Sequence, residues 1–404
     1  MDGNYRSLLN VIQFNSRMEG WLRSDVARSR IVALAIAAAA TAAVAAGCGG
    51  IEGAAREGEV TTAASGEPEG ELVWSNWTLY IDPGKDGTIA EFEDQTGVEV
   101  EYLEDINDNQ EFFAKLQPSL ADGDSGGRSL ITLSDWLARQ MYDLGYLQRL
   151  DPSALPNVEK NLIPALRDAA ADPERDFTVP WQSGMTGIIV RKDLAPDIDE
   201  IADLFDPRYE GEVTMLTEMR DTVPMTLKSM GIDPEEASEE EWLAAVEKID
   251  QAAQSGQIVD FTGNDYIRDL ASGDSWAALG WSGDAVQMQL DNPNIEFVMP
   301  KEGCMLWSTS LEVPVGAPNP EAAQALMNHV YDPKVQADIA EYVNYVTPVK
   351  GVKEILRRRD PELARNELIF PSEEYTEDCS FEPVLDGELG DTVTKAFQRV
   401  ITGG

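Results

Sequence analysis

The chain has 404 residues, 43% of them hydrophobic, enough to bury the cores of two ordinary domains, so disorder of the whole is excluded. Its formal net charge of −42 excludes nucleic acid as a partner, because a phosphate backbone needs Lys/Arg surface that is absent here; it leaves open a cationic ligand or a merely solubilising surface. A single histidine, His329, closes off most His-based catalytic and metal-ligand sets.

At the N-terminus Arg23, Arg28 and Arg30 precede the run Ile31 to Ala46, apolar except for Thr41, which leads into Gly47-Cys48. The run is short for a bilayer span of ~20 residues and ends in the small residues at which a signal peptidase cuts. Residues 1–47 therefore read as a signal peptide, starting at Met1 or Met18. The trio before Cys48 resembles a bacterial lipobox, with Ala45 where that motif prefers Leu, and implies cleavage there and a lipid on the Cys48 sulfur. Residues 48–70, rich in Gly, Ala, Ser and Glu, are expected to be a flexible, lipid-anchored linker. With Cys48 consumed, Cys304 and Cys379 are an even pair in an oxidising setting, and a disulfide is expected; the alternative is two buried thiols.

From Leu72 onward, short apolar strands alternate with amphipathic helices: strand 72–76, helix 86–96 stopped by Gly97, strand 98–102, helix 109–120, strand 129–133, helix 135–144 stopped by Gly145. This alternation predicts parallel βα units. A further apolar segment covers 185–190. Ser238 and Glu241 form a capping box that opens a helix carrying Trp242, Leu243, Val246 and Ile249 on one face. Strands at 276–281, 295–299 and 310–314 and helices at 320–331 and 333–342 complete the pattern.

No phosphate loop, Ser/His/Asp order, CxxC or metal-spaced cluster occurs, and no cofactor is expected. What recurs is a large aromatic at a strand end or just beyond it: Trp77, Tyr80, Trp136, Trp181, Trp281, Trp307 and Tyr345. Ligands of open α/β sheets sit beyond strand ends. Taken alone, Trp77 and Tyr80 are as readily core as site. As a set, with Thr78, Ser134, Asp135 and Asp284 nearby and Asp221 in a further such loop, the rings suggest an aromatic box for an organic cation.

Ser75-Asn76-Trp77-Thr78-Leu79-Tyr80, Trp281-Ser282-Gly283-Asp284, Pro300-Lys301-Glu302-Gly303 with Trp307, and Tyr345-Val346-Thr347-Pro348 together resemble the spermidine/putrescine-binding proteins of bacterial ABC importers, over residues 71–404. The resemblance implies an α/β fold of the type II periplasmic binding protein class: two lobes with mixed, largely parallel sheets and a hinge between them. Lobe one would be 71–184 plus 309–352, and lobe two 185–308 plus 353–404. It implies ring contacts from Trp77, Tyr80, Trp136, Trp281, Trp307 and Tyr345, polar contacts from Thr78 and Ser134, and acidic contacts from Asp221, Asp284 and Glu382. A further acidic contact falls on Glu218, or its place is taken by Met219. At Thr309 the family has an Asp that holds a ligand amine, and a Thr cannot neutralise an ammonium.

The expected protein is then not an enzyme but a monomeric receptor outside the cytoplasm, held to the outer face of the membrane only by its lipid. It captures a polyamine or related small cation and passes it to an ABC permease and its ATPase. The alternatives are a receptor of the same fold for another solute, an anion in which case would use Arg220, and, remotely, a hydrolase using two carboxylates.

Overall fold

The computed structural model describes residues 61–404 except Asp168, Val384, Asp386 and Gly404; the expected signal peptide and Cys48 lie outside them. In chain order the elements are β1 (Glu71–Trp77), α1 (Thr88–Thr96), β2 (Glu99–Ile106), α2 (Asn109–Ala121), β3 (Leu130–Ser134), α3 (Asp135–Asp143), α4 (Pro156–Asn161), β4 (Val179–Arg191), β5 (Val213–Leu216) and α5 (Met219–Ser229). There follow α6 (Glu239–Ser255), β6 (Ile258–Thr262), α7 (Tyr266–Ser272), β7 (Ala277–Trp281), α8 (Ser282–Asp291), β8 (Ile295–Val298) and β9 (Met305–Glu312). The chain closes with α9 (Pro320–His329), α10 (Pro333–Val343), α11 (Val352–Arg359), β10 (Ser380–Phe381) and α12 (Gly387–Ile401).

Local chemistry sets many of these boundaries. Gly97 ends α1 at φ 76°, a left-handed conformation that a Cβ would oppose. The capping box at Ser238 forms as expected, its hydroxyl accepting from the Glu241 N–H while the Glu241 carboxylate accepts the Ser238 N–H. Pro320 and Pro333 start α9 and α10, where a missing N–H costs nothing.

The strands form one curled mixed sheet in the order β2-β1-β3-β9-β4-β7-β5-β6, with β10 beside β9 and β8 beside β4. Its two flanks are parallel: β1 pairs with β2 and β3, and β5 with β6 and β7. Its centre is antiparallel, through β3·β9, β9·β4 and β4·β7. β4 spans both halves, pairing with β9 from Val179 to Thr186 and with β7 from Thr186 to Val190. The expected apolar segment 185–190 is only its second part, since Trp181-Gln182-Ser183-Gly184 breaks the hydrophobic run. The expected strand 310–314 likewise begins earlier, at Met305, because pairing with β4 draws Ser308-Thr309-Ser310 into the sheet.

Trp74 lies at the heart of the first flank. It is fully buried, packs edge-on against Tyr102 and Trp181, and donates its indole N–H to the Thr132 hydroxyl at 2.9 Å. Cys304 and Cys379 form the expected disulfide. The expected linker is shorter than 48–70: Ala63 is buried and its N–H donates to the Arg149 carbonyl at 2.7 Å, while Gln324 Nε2 donates to the Ala64 carbonyl at 2.8 Å. Backbone groups there find partners on the body instead of in water. Among the described residues no helix is long and apolar enough to cross a membrane. Trp74→Ala is expected to cost about 3–5 kcal/mol of stability in equilibrium urea unfolding, by emptying a fully buried site in this flank.

Candidate functional site

Between the two halves of the sheet lies a cleft with about 430 Å³ of atom-free space. It sits beyond the C-terminal ends of β1, β3, β5, β6 and β7. Leu79, at φ 57°, turns the chain sharply after β1. This turn lets Trp77 and Tyr80, three residues apart, both face the cleft, at the cost of order 1–2 kcal/mol that a left-handed non-glycine carries. The Leu79 N–H is satisfied by Glu104 Oε1 at 3.0 Å.

The rings form a belt of edge-to-face contacts. Trp77 meets Trp281 with centroids 5.8 Å apart, Trp281 meets Trp307 at 6.4 Å, Trp307 meets Tyr345 at 5.4 Å, and Tyr345 meets Tyr80 at 5.3 Å. Such geometry places the positive ring edges against neighbouring faces and leaves other faces turned to the cavity. Gly283 makes room for the belt, since a Cβ there would lie 2.4 Å from the Tyr345 ring. Gly184 does the same beneath Trp307, also at 2.4 Å.

Four carboxylates share this space: Glu218, Asp221, Asp284 and Glu382. Asp221 and Asp284 occupy the first turns of α5 and α8 and not loops, so each sits at a positive helix end. Glu218 is the N-cap residue of α5 and reaches the cleft, whereas Met219 is buried outside the lining. Asp284 accepts from the Tyr266 and Tyr345 hydroxyls, the latter at 2.6 Å, and from Asn264 Nδ2 at 3.0 Å. Asp221 accepts from the Thr186 hydroxyl and, at 3.2 Å, from Trp281 Nε1. Glu218 Oε1 accepts both the Asn109 backbone N–H at 2.7 Å and its Nδ2 at 2.8 Å, a contact that crosses the cleft.

Burial raises the pKa of all four, because a low-dielectric site disfavours the charged form. Neighbouring charge adds to this: Asp108 and Asp221 raise Glu218, and Asp221 and Glu218 raise Glu382, against which Arg220 pulls down. Asp221 is pushed up to about 6, its hydrogen bonds from Thr186 and Trp281 limiting the rise.

The cleft thus gathers Trp77, Thr78, Tyr80, Ser134, Glu218, Asp221, Trp281, Asp284, Trp307, Thr309, Tyr345 and Glu382. Thr78 is exposed at the mouth; Ser134, at the end of β3, exchanges hydrogen bonds with Asn109. Thr309 sits on β9 opposite Ser134, hydrogen-bonded to the Tyr80 hydroxyl at 3.1 Å and donating to the Gln182 carbonyl at 3.2 Å. Trp136 is the residue that does not join them. The Arg220 guanidinium lies 3.9 Å over its ring, so the chain's own cation occupies that π-face. Arg220 also donates to the Leu385 carbonyl at 3.3 Å. Trp181 is core, behind Tyr80 and against Trp74.

Two lining residues escaped the sequence reading, Asn109 and Asn264. Both follow strand ends, β2 and β6, where the rule that located Trp77 and Tyr80 applies equally. Attention to aromatics and carboxylates passed over amides. Among the described residues there is no group of three or more metal-ligating side chains placed to hold an ion.

A sequence profile of the family described as bacterial extracellular solute-binding protein matches residues 87–371. The spermidine/putrescine-binding periplasmic protein of Escherichia coli K12 is 28% identical over 315 residues, spanning 78% of this chain and 86% of that protein. A solved structure described as "Putative spermidine/putrescine ABC transporter from Listeria monocytogenes" superposes with a TM-score of 0.73 at 26% identity, over 83% of this chain and 99% of that one. An agropinic acid complex of AgtB from A. tumefaciens, at 17% identity and a TM-score of 0.62, shares the fold.

The raised Asp221 carboxyl binds more protons in the folded than in the unfolded chain. Its contribution to stability is complete below the ordinary value of 3.8 and is lost as pH rises through about 6. Asp221→Asn should therefore gain stability relative to the parent protein between about pH 4 and about pH 7, by about 2–3 kcal/mol in ligand-free urea unfolding. Parallel pH curves for variant and parent would contradict the assignment.

Proposed function

Because the chain belongs to the bacterial extracellular solute-binding proteins, we propose that it captures a polyamine, spermidine or putrescine, or a related small organic cation in the cleft and delivers it to an ABC importer. The observation that carries this reading is the charge of the site. Four carboxylates face one aromatic-walled space; burial makes each less acidic, and neighbouring carboxylates do so further for Glu218 and Glu382. A ligand ammonium supplies the counter-charge they lack, and ring faces add about 0.5–2 kcal/mol per contact where water is excluded. The likeness to the spermidine/putrescine-binding protein of E. coli supports the same ligand class.

The mechanism is closure of two lobes, 71–184 with 309–352 and 185–308 with 353–404, about the crossing strands β4 and β9. Contacts between these parts support a clamp: Tyr345 to Asp284, Asn109 to Glu218, Trp77 to Trp281, and Gln287 Nε2 donating to the Val343 carbonyl at 2.7 Å. A ligand that touches both walls binds the closed state better and shifts the population toward it. In this reading the protein is a monomer outside the cytoplasm, lipid-anchored at Cys48, with a permease and ATPase as partners and no catalytic step of its own.

A thermal-shift panel of putrescine, spermidine, spermine, basic amino acids, choline, sugars and an organic acid tests the ligand class. Putrescine or spermidine at 100 times its Kd should add about 2.7 kcal/mol of stability, and sugars and acids nothing. A shift produced only by neutral or anionic compounds would overturn the cation reading. Asp221→Asn should weaken polyamine affinity about tenfold or more in calorimetric titration, since it removes a buried partner of the ammonium. Small-angle scattering should show compaction on ligand addition; an unchanged radius of gyration would count against closure.

A further inference from the structure

Of the four cleft carboxylates, Glu382 is placed differently. Glu218, Asp221 and Asp284 stand at the N-termini of helices that follow the parallel strands β5 and β7. Glu382 follows β10, a strand of two residues that, among the described residues, pairs with the start of β9 alone. Backbone bonds run from the Ser380 N–H to the Cys304 carbonyl and from the Glu382 N–H to the Leu306 carbonyl, both 3.0 Å. So short a strand is marginal by itself.

The disulfide stands at the head of this pair. Cys304 and Cys379 each precede a strand, and the parallel register sets Ser380 beside Met305 and Phe381 beside Leu306. Counting on from the bridge, Trp307 and Glu382 are each the third residue; both line the cleft, and the Glu382 N–H bond to the Leu306 carbonyl carries the strand pairing on to their level. The surroundings fit a bridge built to hold this register. Gly303, at φ 82°, lets the chains touch: a Cβ there would lie 1.8 Å from the Asp378 carbonyl oxygen. Lys228 Nζ donates to the Glu302 and Asp378 carbonyls, each at 3.2 Å, tying the residues that flank the two cysteines.

We infer that the Cys304–Cys379 bridge is an affinity-setting device, which holds the Glu382 carboxylate beside Trp307 as a contact for the ligand cation. This rests on the cation reading of the cleft. Two residues beyond Trp307 on β9, Thr309 offers a neutral hydroxyl already engaged by Tyr80 and Gln182. Glu382 therefore determines how much negative charge this side of the cleft presents, and its position depends on a cross-link outside the cleft. Opening the bridge leaves the lobes folded but lets β10 separate from β9, and the carboxylate leaves the ring.

The test is calorimetric titration of putrescine and spermidine into four forms of the mature protein: oxidised parent, parent reduced by dithiothreitol, Glu382→Gln oxidised, and Glu382→Gln reduced. Dithiothreitol converts the bridge to two thiols and is itself oxidised to its cyclic disulfide; thiol counting confirms completion, and far-UV circular dichroism confirms the fold. Reduction should weaken binding by the parent about tenfold, and Glu382→Gln should weaken it by a similar factor. Reduced Glu382→Gln should bind no worse than its oxidised form, because the bridge then has no carboxylate to hold. Equal affinity of reduced and oxidised parent, or a further tenfold loss on reducing Glu382→Gln, overturns the inference. A bridge with a general structural role would weaken both backgrounds alike.

Amide hydrogen exchange on the ligand-free protein separates this from failure of the cation reading. Peptides covering 379–383 should exchange about tenfold faster after reduction while those covering 219–229 do not change. If no cation binds the oxidised parent, the proposed function falls and Glu382's ligand role with it, while faster exchange at 379–383 still supports the holding role of the bridge. Unchanged exchange there overturns that role whatever binds.

Discussion

Four carboxylates in one desolvated space are the constraint to which the rest of this structure answers. In water such groups repel by a fraction of a kcal/mol; in a cavity walled by indole and phenol rings the same charges interact several times more strongly. Glu218, Asp221, Asp284 and Glu382 must therefore take up protons, bind a cation, or open to solvent. Hydrogen bonds relieve them only in part. Asp284 has three donors and Glu218 two from a single residue, and the Asn109 that supplies them belongs to the opposite wall. Glu218 thus also bonds a residue that comes from the other flank of the sheet.

The sheet makes this arrangement possible. Parallel flanks deliver strand ends to one edge, so that Trp77, Ser134, Glu218 and Trp281 arrive from four separate strand ends without any of them being near in sequence. The antiparallel centre, β4 with β9, joins the two parallel flanks within the sheet. Small residues at Gly184 and Gly283 accept rings at distances that no side chain would allow, and these glycines fix the belt as much as the aromatics do.

The strand-end aromatics were legible because Trp and Tyr beside turn residues are conspicuous, and because the order of the four quoted motifs resembles that of a known family. Of the thirteen residues that the resemblance marks, twelve line one cleft. Trp136 shows the limit of that reasoning: as a flat ring beside a strand end it resembles the others, and only the packed structure reveals Arg220 already seated on it. Asn109 and Asn264 show a second limit, since an amide earns notice only when its partners, here Glu218, Ser134 and Asp284, are known. The register of β9 was hidden for a related reason: Ser308-Thr309-Ser310 has no hydrophobic period, and its strand character comes from neighbours on both sides.

By itself the sequence determined the α/β class, the positions of half of the α-helices, the even pair of cysteines and the chemical character of the site. These depend on local periodicity, capping and composition, which the chain carries wherever it goes. Only the tertiary structure decided which rings face the cavity and which face the core, which of Glu218 and Met219 enters, and that Glu382 joins Trp307 in the cleft lining. Those outcomes turn on distances of a few ångströms between residues more than a hundred positions apart, such as Asn109 and Glu218 or Tyr80 and Thr309. Pairing and packing, not local preference, set such distances.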